Sequence, residues 1–206
     1  ASSVSAATKA RLAQRFGPGS PAARAGRQRY FSNRTITLQY LLLNSRRPLF
    51  ATARMRRAVN FAVNRSALAA TAGQGFSGLP TDQYLPTGMP GYRDAAIYPL
   101  GRPNLAHARR LAGHGRHHAV MYTCNRPACT RVAEIVRADL RPIGIDVTIK
   151  PFALVPMFLH EFTRGAPFDI GWFGWALDFL DPSDFLGAPF NGSDVGFPGA
   201  DAQRYK

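Results

Sequence analysis

HAVMYTCNRPACTRVAEIVRADLRPIGIDVTIKP, residues 118–151, decides the fold class of this chain. His118 to Thr123 reads as a strand, Ala128 to Leu140 as an amphipathic helix and Asp146 to Pro151 as a second strand. Working forward, a helix is expected at Val155 to Phe162 and a third strand at Phe168 to Trp175. A further helix opens at Pro182 or Ser183, with Asp181 as N-cap and Pro182 as first helical residue. Strands alternating with helical crossovers specify an α/β layer with a mixed, mostly parallel sheet flanked by helices. In such sheets ligands bind outside the carboxyl ends of the strands. That directs attention to two loops, 124–129 and 175–181.

Working backward, Asn104 caps a helix from Leu105 to Ala112 that stops at Gly113. The segment from Gly75 to Gly101 carries Pro80, Pro86, Pro90 and Pro99, and reads as a surface-wrapping stretch. Before it lie a helix at Ala67 to Ala72, with Ser66 as its cap and Gly73 as its stop, and a helix within Ala51 to Val63 that places Met55, Ala58, Val59 and Ala62 on one face. Thr35 to Asn44 reads as a strand buried on much of both faces. Residues 1–34 are rich in Ala, Ser, Gly and Arg, with one helix at Ala6 to Phe16 before the breaker Gly17-Pro18-Gly19-Ser20-Pro21. Residues 1–34 are thus read as a partly irregular N-terminal segment and 35–206 as the α/β unit.

The 206 residues are 46% hydrophobic and 18% charged, a balance that excludes wholesale disorder. No apolar run approaches the roughly 20 residues that a bilayer-spanning helix needs. The net charge of +14 comes from 26 basic against 12 acidic residues, and the basic residues are 23 Arg and 3 Lys. An excess of this size raises a basic nucleic-acid-binding domain as an alternative function. The arginines are scattered as pairs, however, with no long run. A nucleic-acid binder should gather them on one face, and a binding protein should spread them.

Cys124 and Cys129 are too few for a zinc site, which needs about four ligands. They read either as two buried thiols or as a small-loop disulfide. Pro127 and the short span favour the disulfide, which would place the protein outside the cytosol. His114, His117 and His118 fall between a helix end and a strand, and alternation separates the last two, so no metal site is expected. Glu134 and Glu161 each sit within a predicted amphipathic helix. No nucleophile elbow, phosphate-cradling loop or carboxylate pair is evident, so neither catalysis nor a cofactor is expected.

Several stretches together resemble family 5 of the extracellular solute-binding proteins, the dipeptide-, oligopeptide- and nickel-binding components of ABC transporters. They are Leu43-Asn44, Arg57-Ala58-Val59-Asn60-Phe61-Ala62-Val63-Asn64-Arg65, the helix ending at Gly113, Leu140-Arg141-Pro142-Ile143-Gly144-Ile145, and Phe168-Asp169-Ile170 with Gly174-Trp175, Asp178 and Asp181-Pro182. Asn64 stands where the family usually has Asp. The resemblance runs from about residue 40 to 190. It implies one lobe of a two-lobed periplasmic-binding-protein-like fold, cut from a chain more than twice as long, which fits an N-terminus without a leader pattern.

The function so implied is substrate-binding component of an ABC importer, capturing a small, peptide-like solute by lobe closure. The protein would work outside the cytoplasm as a monomer, deliver to membrane permease subunits and have no nucleic-acid partner. The resemblance makes Asp178 the receptor for a ligand α-amino group and Trp175 a pocket wall, with Trp172 and Gly174 beside it. Trp172 occupies the position where one branch of the family has a carboxylate-anchoring Arg. Asn125 and Arg126, in a loop resembling a ligand-facing one, complete the candidate set. Asp184, on the following helix, is expected to face solvent.

Overall fold

The computed structural model describes residues 5–31, 36–72, 78–163 and 165–190. The expected segment boundary at 34/35, the strand start at Thr35, the loop start at Gly75 and the helix stop at Gly73 lie outside these residues. Chain order is α1 (Ala6–Phe16), α2 (Pro21–Arg24), β1 (Thr37–Leu43), α3 (Ala53–Ala62), α4 (Arg65–Ala72), α5 (Leu105–Ala112), β2 (His117–Cys124), α6 (Pro127–Leu140), β3 (Ile145–Phe152), α7 (Leu154–Phe162), β4 (Ile170–Ala176) and α8 (Pro182–Phe190). None of the described helices is long and apolar enough to cross a membrane.

The described strands form one sheet in the order β1-β4-β2-β3. β2 runs parallel to β3 and to β4, whereas β1 is antiparallel to β4, with Leu43 opposite Ile170 and Thr37 opposite Ala176. The carboxyl ends of β2, β3 and β4 therefore share one edge of the sheet with the start of β1. Ile170 opposite Met121 is the one ladder position that β4 shares with β2 among the described residues.

Alternation along the strands separates the core into layers. Ala119, Met121, Ile145, Val147 and Ile170 pack against Met55, Val59 and Ala62 of α3, Ala108 of α5 and Val132, Val136 and Leu140 of α6. On the opposite face Leu42 and Tyr122 meet Phe168, and Phe173 stacks edge-to-face on Phe158 and Phe162 of α7. At the far end Phe185 of α8 packs with Leu38, Met89 and Trp175.

Two sequence motifs 124 residues apart are joined here. The Asn44 side-chain amide donates to the Phe168 carbonyl (3.0 Å), and the Asn44 backbone N–H donates to the Asp169 carbonyl (2.9 Å). The Asp169 carboxylate accepts from the Val120 backbone N–H (2.8 Å) and from Arg47 Nε (3.0 Å), while Asp169 N–H donates to the Val120 carbonyl (2.8 Å). One buried residue thus ties β1, β2 and the entry to β4 together.

The Leu140-to-Ile145 motif has a comparable physical reason. Gly144 ends the 3-10 turn Arg141–Ile143 with φ +81°, and a Cβ there would lie 2.6 Å from the Gly115 carbonyl oxygen. Only glycine supplies that φ with that clearance.

Two local expectations are corrected, and one helical acid proves buried. The N-cap of α4 is Asn64, whose side chain accepts from Ala67 N–H (3.0 Å); Ser66 instead donates to the Leu100 carbonyl. Asn64 therefore retains the capping role that an Asp would have. Glu161, within the expected helix, is fully buried beneath β4, and its Oε1 accepts from Trp172 N–H (3.3 Å). Asp184 is also buried, not solvent-facing. The amphipathic pattern missed both because each carboxyl reaches a backbone N–H that exists only once β4 is in place.

Burial pushes the Glu161 carboxyl up to about 8, partly offset by the hydrogen bond from Trp172 N–H. A Cβ at Gly171 would lie 2.7 Å from Glu161 Oε1, so a side chain there would force this buried carboxyl to shift.

Asp169→Ala strands a buried N–H and the Arg47 guanidinium and should lower unfolding free energy in urea by about 2–4 kcal/mol. Arg47→Ala, at a half-exposed partner, should cost about 1 kcal/mol. For Glu161, the folded state holds a proton that the unfolded chain releases near 4.5. Its stabilising contribution is complete below pH 4.5 and is lost as pH rises through about 8. Urea midpoints should fall across that window, and Glu161→Gln should flatten the dependence. An unchanged pH slope in that variant would refute the assignment.

Candidate functional site

β4 leaves the sheet at Ala176 and turns through 177–181 into α8. Asp181 caps that helix, its carboxylate accepting from Ser183 N–H (2.8 Å), with Pro182 as first helical residue. The turn is organised by Asp184. One oxygen accepts from the Trp175 indole Nε1 (3.4 Å) and the other from the Asp178 backbone N–H (3.0 Å). A single buried carboxylate therefore sets both the indole and the backbone carrying Asp178.

Asp178 itself is exposed, and among the described residues its carboxylate makes no hydrogen bond or ion pair. Phe179 and Leu180 beside it are 55% and 62% exposed. This combination of an uncommitted carboxylate and exposed apolar side chains on a pinned turn can accept an ammonium next to an apolar group.

The other candidates are distributed around this edge. Trp172 packs into the core layer formed by α3, α5 and α6, on the sheet face opposite Phe173 and Trp175. Gly174 is exposed and lies opposite Gln39, where a Cβ would make ordinary contact. Trp175 is half-buried against Leu38, Met89 and Phe185, so part of its ring serves the core.

Cys124 and Cys129 form a disulfide with Cα atoms 5.4 Å apart, linking the end of β2 to the first turn of α6. Between them, Asn125 N–H extends the ladder to the Phe152 carbonyl (2.7 Å), and Arg126 is the N-cap residue of α6 without a side-chain capping bond. Both are exposed. Asn125 also borders an open depression of about 600 Å³ between α4 and α6, lined by Thr71, Pro127, Thr130, Arg131, Glu134 and Ile135. The topology places Asn125 and Arg126 on the same sheet edge as Trp175 and Asp178. Among the described residues, no hydrogen bond joins the two loops.

The residue that sequence reasoning missed is Asp184. Its signal was available as the carboxylate three positions after the Asp181-Pro182 cap. There, the first helical turn faces back toward the strand that precedes it.

Closing a six-residue ring with the disulfide should contribute about 2 kcal/mol. Replacing both Cys124 and Cys129 by Ala should lower the urea midpoint accordingly, without loss of the helical circular-dichroism signal.

Comparison with known proteins places this geometry. Heme-binding protein A of Haemophilus influenzae is 24% identical over 168 residues, which cover 78% of this chain and 30% of that protein. The solved structure of clavulanic acid biosynthesis oligopeptide binding protein 2 superposes with a TM-score of 0.70 at 24% identity, covering 82% of this chain and 33% of that one. The dipeptide binding protein from Pseudoalteromonas in complex with Met-Leu gives a TM-score of 0.60 at 25% identity, covering 73% and 30%. The chain thus spans about a third of the length of these relatives. Nothing in these likenesses supports the nucleic-acid-binding alternative. Residues 8–197 match the bacterial extracellular solute-binding proteins, family 5 middle region, and the chain belongs to that family.

Proposed function

We propose that this chain is the solute-contacting lobe of the substrate-binding component of an ABC importer. It works outside the cytoplasm as a monomer, closes with a second lobe about a hinge around a peptide-like solute, and hands the solute to permease subunits in the membrane. The reading is that of a binding protein, not an enzyme. Support comes from the family match and from the fold shared with oligopeptide- and dipeptide-binding proteins. The disulfide suits an oxidising compartment.

The observation that carries the reading is the turn after β4. Asp178 presents a carboxylate at the carboxyl end of a parallel strand, its backbone fixed by Asp184 and its flanks formed by exposed Phe179 and Leu180. In this reading the Asp178 carboxylate receives the α-ammonium of the solute, and closure removes water from the pair. Trp175 walls the pocket, with Trp172 and Gly174 on the same strand. Arg126 and Asn125, on the neighbouring loop, face the solute's polar or anionic end, aided by the N-terminus of α6.

Asp178→Asn keeps the shape and deletes the charge. Calorimetric titration of the whole gene product with dipeptides should show a loss of about 2–5 kcal/mol, some 30- to several-thousand-fold in affinity. N-acetylated peptides, which lack the ammonium, should bind wild type and variant alike. Thermal stability should stay within about 0.5 kcal/mol of wild type, since Asp178 is exposed. Asp184→Ala, which releases the indole and the turn, should instead lower stability by about 1–3 kcal/mol together with affinity. Equal dipeptide affinity for wild type and Asp178→Asn would reject the assignment and favour an uncharged solute stacked on Trp175.

A further inference from the structure

The arginines that the composition left unassigned are not evenly spread over the described structure. Arg54 at the start of α3 donates from Nη2 to the Arg110 carbonyl at the end of α5 (3.0 Å). Arg109, one residue earlier, donates from Nε to the Pro142 carbonyl (3.0 Å), next to Arg141. The same turn ends at Gly144, which abuts Gly115, so Arg116 sits beside it at the entry to β2. Arg57 lies one helical turn beyond Arg54. This chain of contacts gathers six exposed arginines at the amino end of the parallel strands.

Among the described residues none of the six pairs with a carboxylate; the salt bridges described are Arg47–Asp169 and Arg137–Glu134. Capping of helix-end carbonyls explains the positions of Arg54 and Arg109, but it leaves their charge uncompensated. Asp139, in the last turn of α6 where it accepts from Asn64 N–H, and Asp146, the second residue of β3, share this end and leave the arginines in excess, whereas Asp178 and Asp181 lie at the other end of the strands. β2 has eight residues and spans about 26 Å, some three Debye lengths at physiological salt, so the two ends do not neutralise each other.

We propose that this basic end is a docking surface for an anionic phospholipid bilayer. A protein partner would require an apolar centre in the patch, single-stranded bases would require aromatic platforms among the cations, and a duplex, which charge alone can hold, does not fit a member of an extracellular family. Among the described residues, none of the large exposed hydrophobic side chains, such as Phe31, Leu79, Ile97, Leu159 and Phe179, belongs to the α3–α5 end or to the turn before β3. A bilayer surface requires only charge, each nearby basic side chain adding about fivefold to partitioning. Docked this way, a protein of an extracellular family would stay at the membrane with its acidic edge open to solution. The inference stands independently of the solute reading.

The test is co-sedimentation of the 206-residue chain with vesicles in 50 mM salt. We expect partitioning onto phosphatidylglycerol/phosphatidylcholine vesicles, at least a tenfold loss at 300 mM salt, and none onto phosphatidylcholine alone. The double variant Arg110→Glu/Arg116→Glu should weaken partitioning at least 25-fold. Arg93→Glu/Arg131→Glu, with the same net-charge change on other parts of the surface, should weaken it less than fivefold. Should the first double fail to fold by circular dichroism, Arg110→Gln/Arg116→Gln takes its place, with a loss of at least tenfold expected. The proposal is overturned by absence of partitioning onto anionic vesicles, by equal binding to neutral ones, or by equal effects of the two doubles. Capture of a single-stranded oligonucleotide without vesicle binding also overturns it.

Discussion

The Asp169 carboxylate and its backbone hold together the part of this protein on which everything else is hung. β4 is laddered to β1 along its whole length but shares, among the described residues, a single ladder position with β2, so strand pairing ties it to the parallel part of the sheet only weakly. Asp169 fixes it from just upstream. Its side chain and its amide bracket Val120, its carbonyl takes Asn44, and Arg47 neutralises its charge. A buried carboxylate is tolerable only when its lone pairs are filled, and here they are filled by groups from two different segments, Val120 N–H of β2 and Arg47 Nε after β1. The direction of β4, and with it the turn bearing Trp175 and Asp178, follows from that node.

Beyond Ile170, carboxyl groups take over again. Glu161 from α7 receives the Trp172 N–H beneath a glycine that leaves it room, and Asp184 from α8 receives the Trp175 indole and the Asp178 N–H. Three buried acids along one strand therefore replace much of what a second neighbouring strand would provide. Such acids confer geometry more than stability, because each requires desolvation. The arrangement leaves the Asp178 carboxylate without a partner among the described residues, a condition that a ligand-binding charge has to meet.

The charge distribution adds a second organising feature. Buried acids serve the strand interior and the turn after β4, while guanidinium groups outnumber the acids Asp139 and Asp146 at the amino edge around α3, α5 and the turn before β3. A sheet of this length keeps the two populations apart, so a +14 chain still presents an edge suited to a cation.

Periodicity by itself determined the element order, because helical and strand repeats are local properties of the chain. The helices at 105–112 and 128–140, and the strands around Val120, Val147 and Phe173, were legible for that reason, as was the Asp181-Pro182 start of the last helix. Motif order also made the family legible. What the sequence could not specify was which polar residue goes inside. Glu161 and Asp184 have the spacing of solvated helix positions, and only the arrival of β4 supplies the N–H groups that draw them in. The antiparallel seating of β1, the meeting of Asn44 with Phe168 across 124 residues and the gathering of dispersed arginines at one edge are likewise products of tertiary structure. Each depends on contacts between segments far apart in sequence, and no local pattern encodes them.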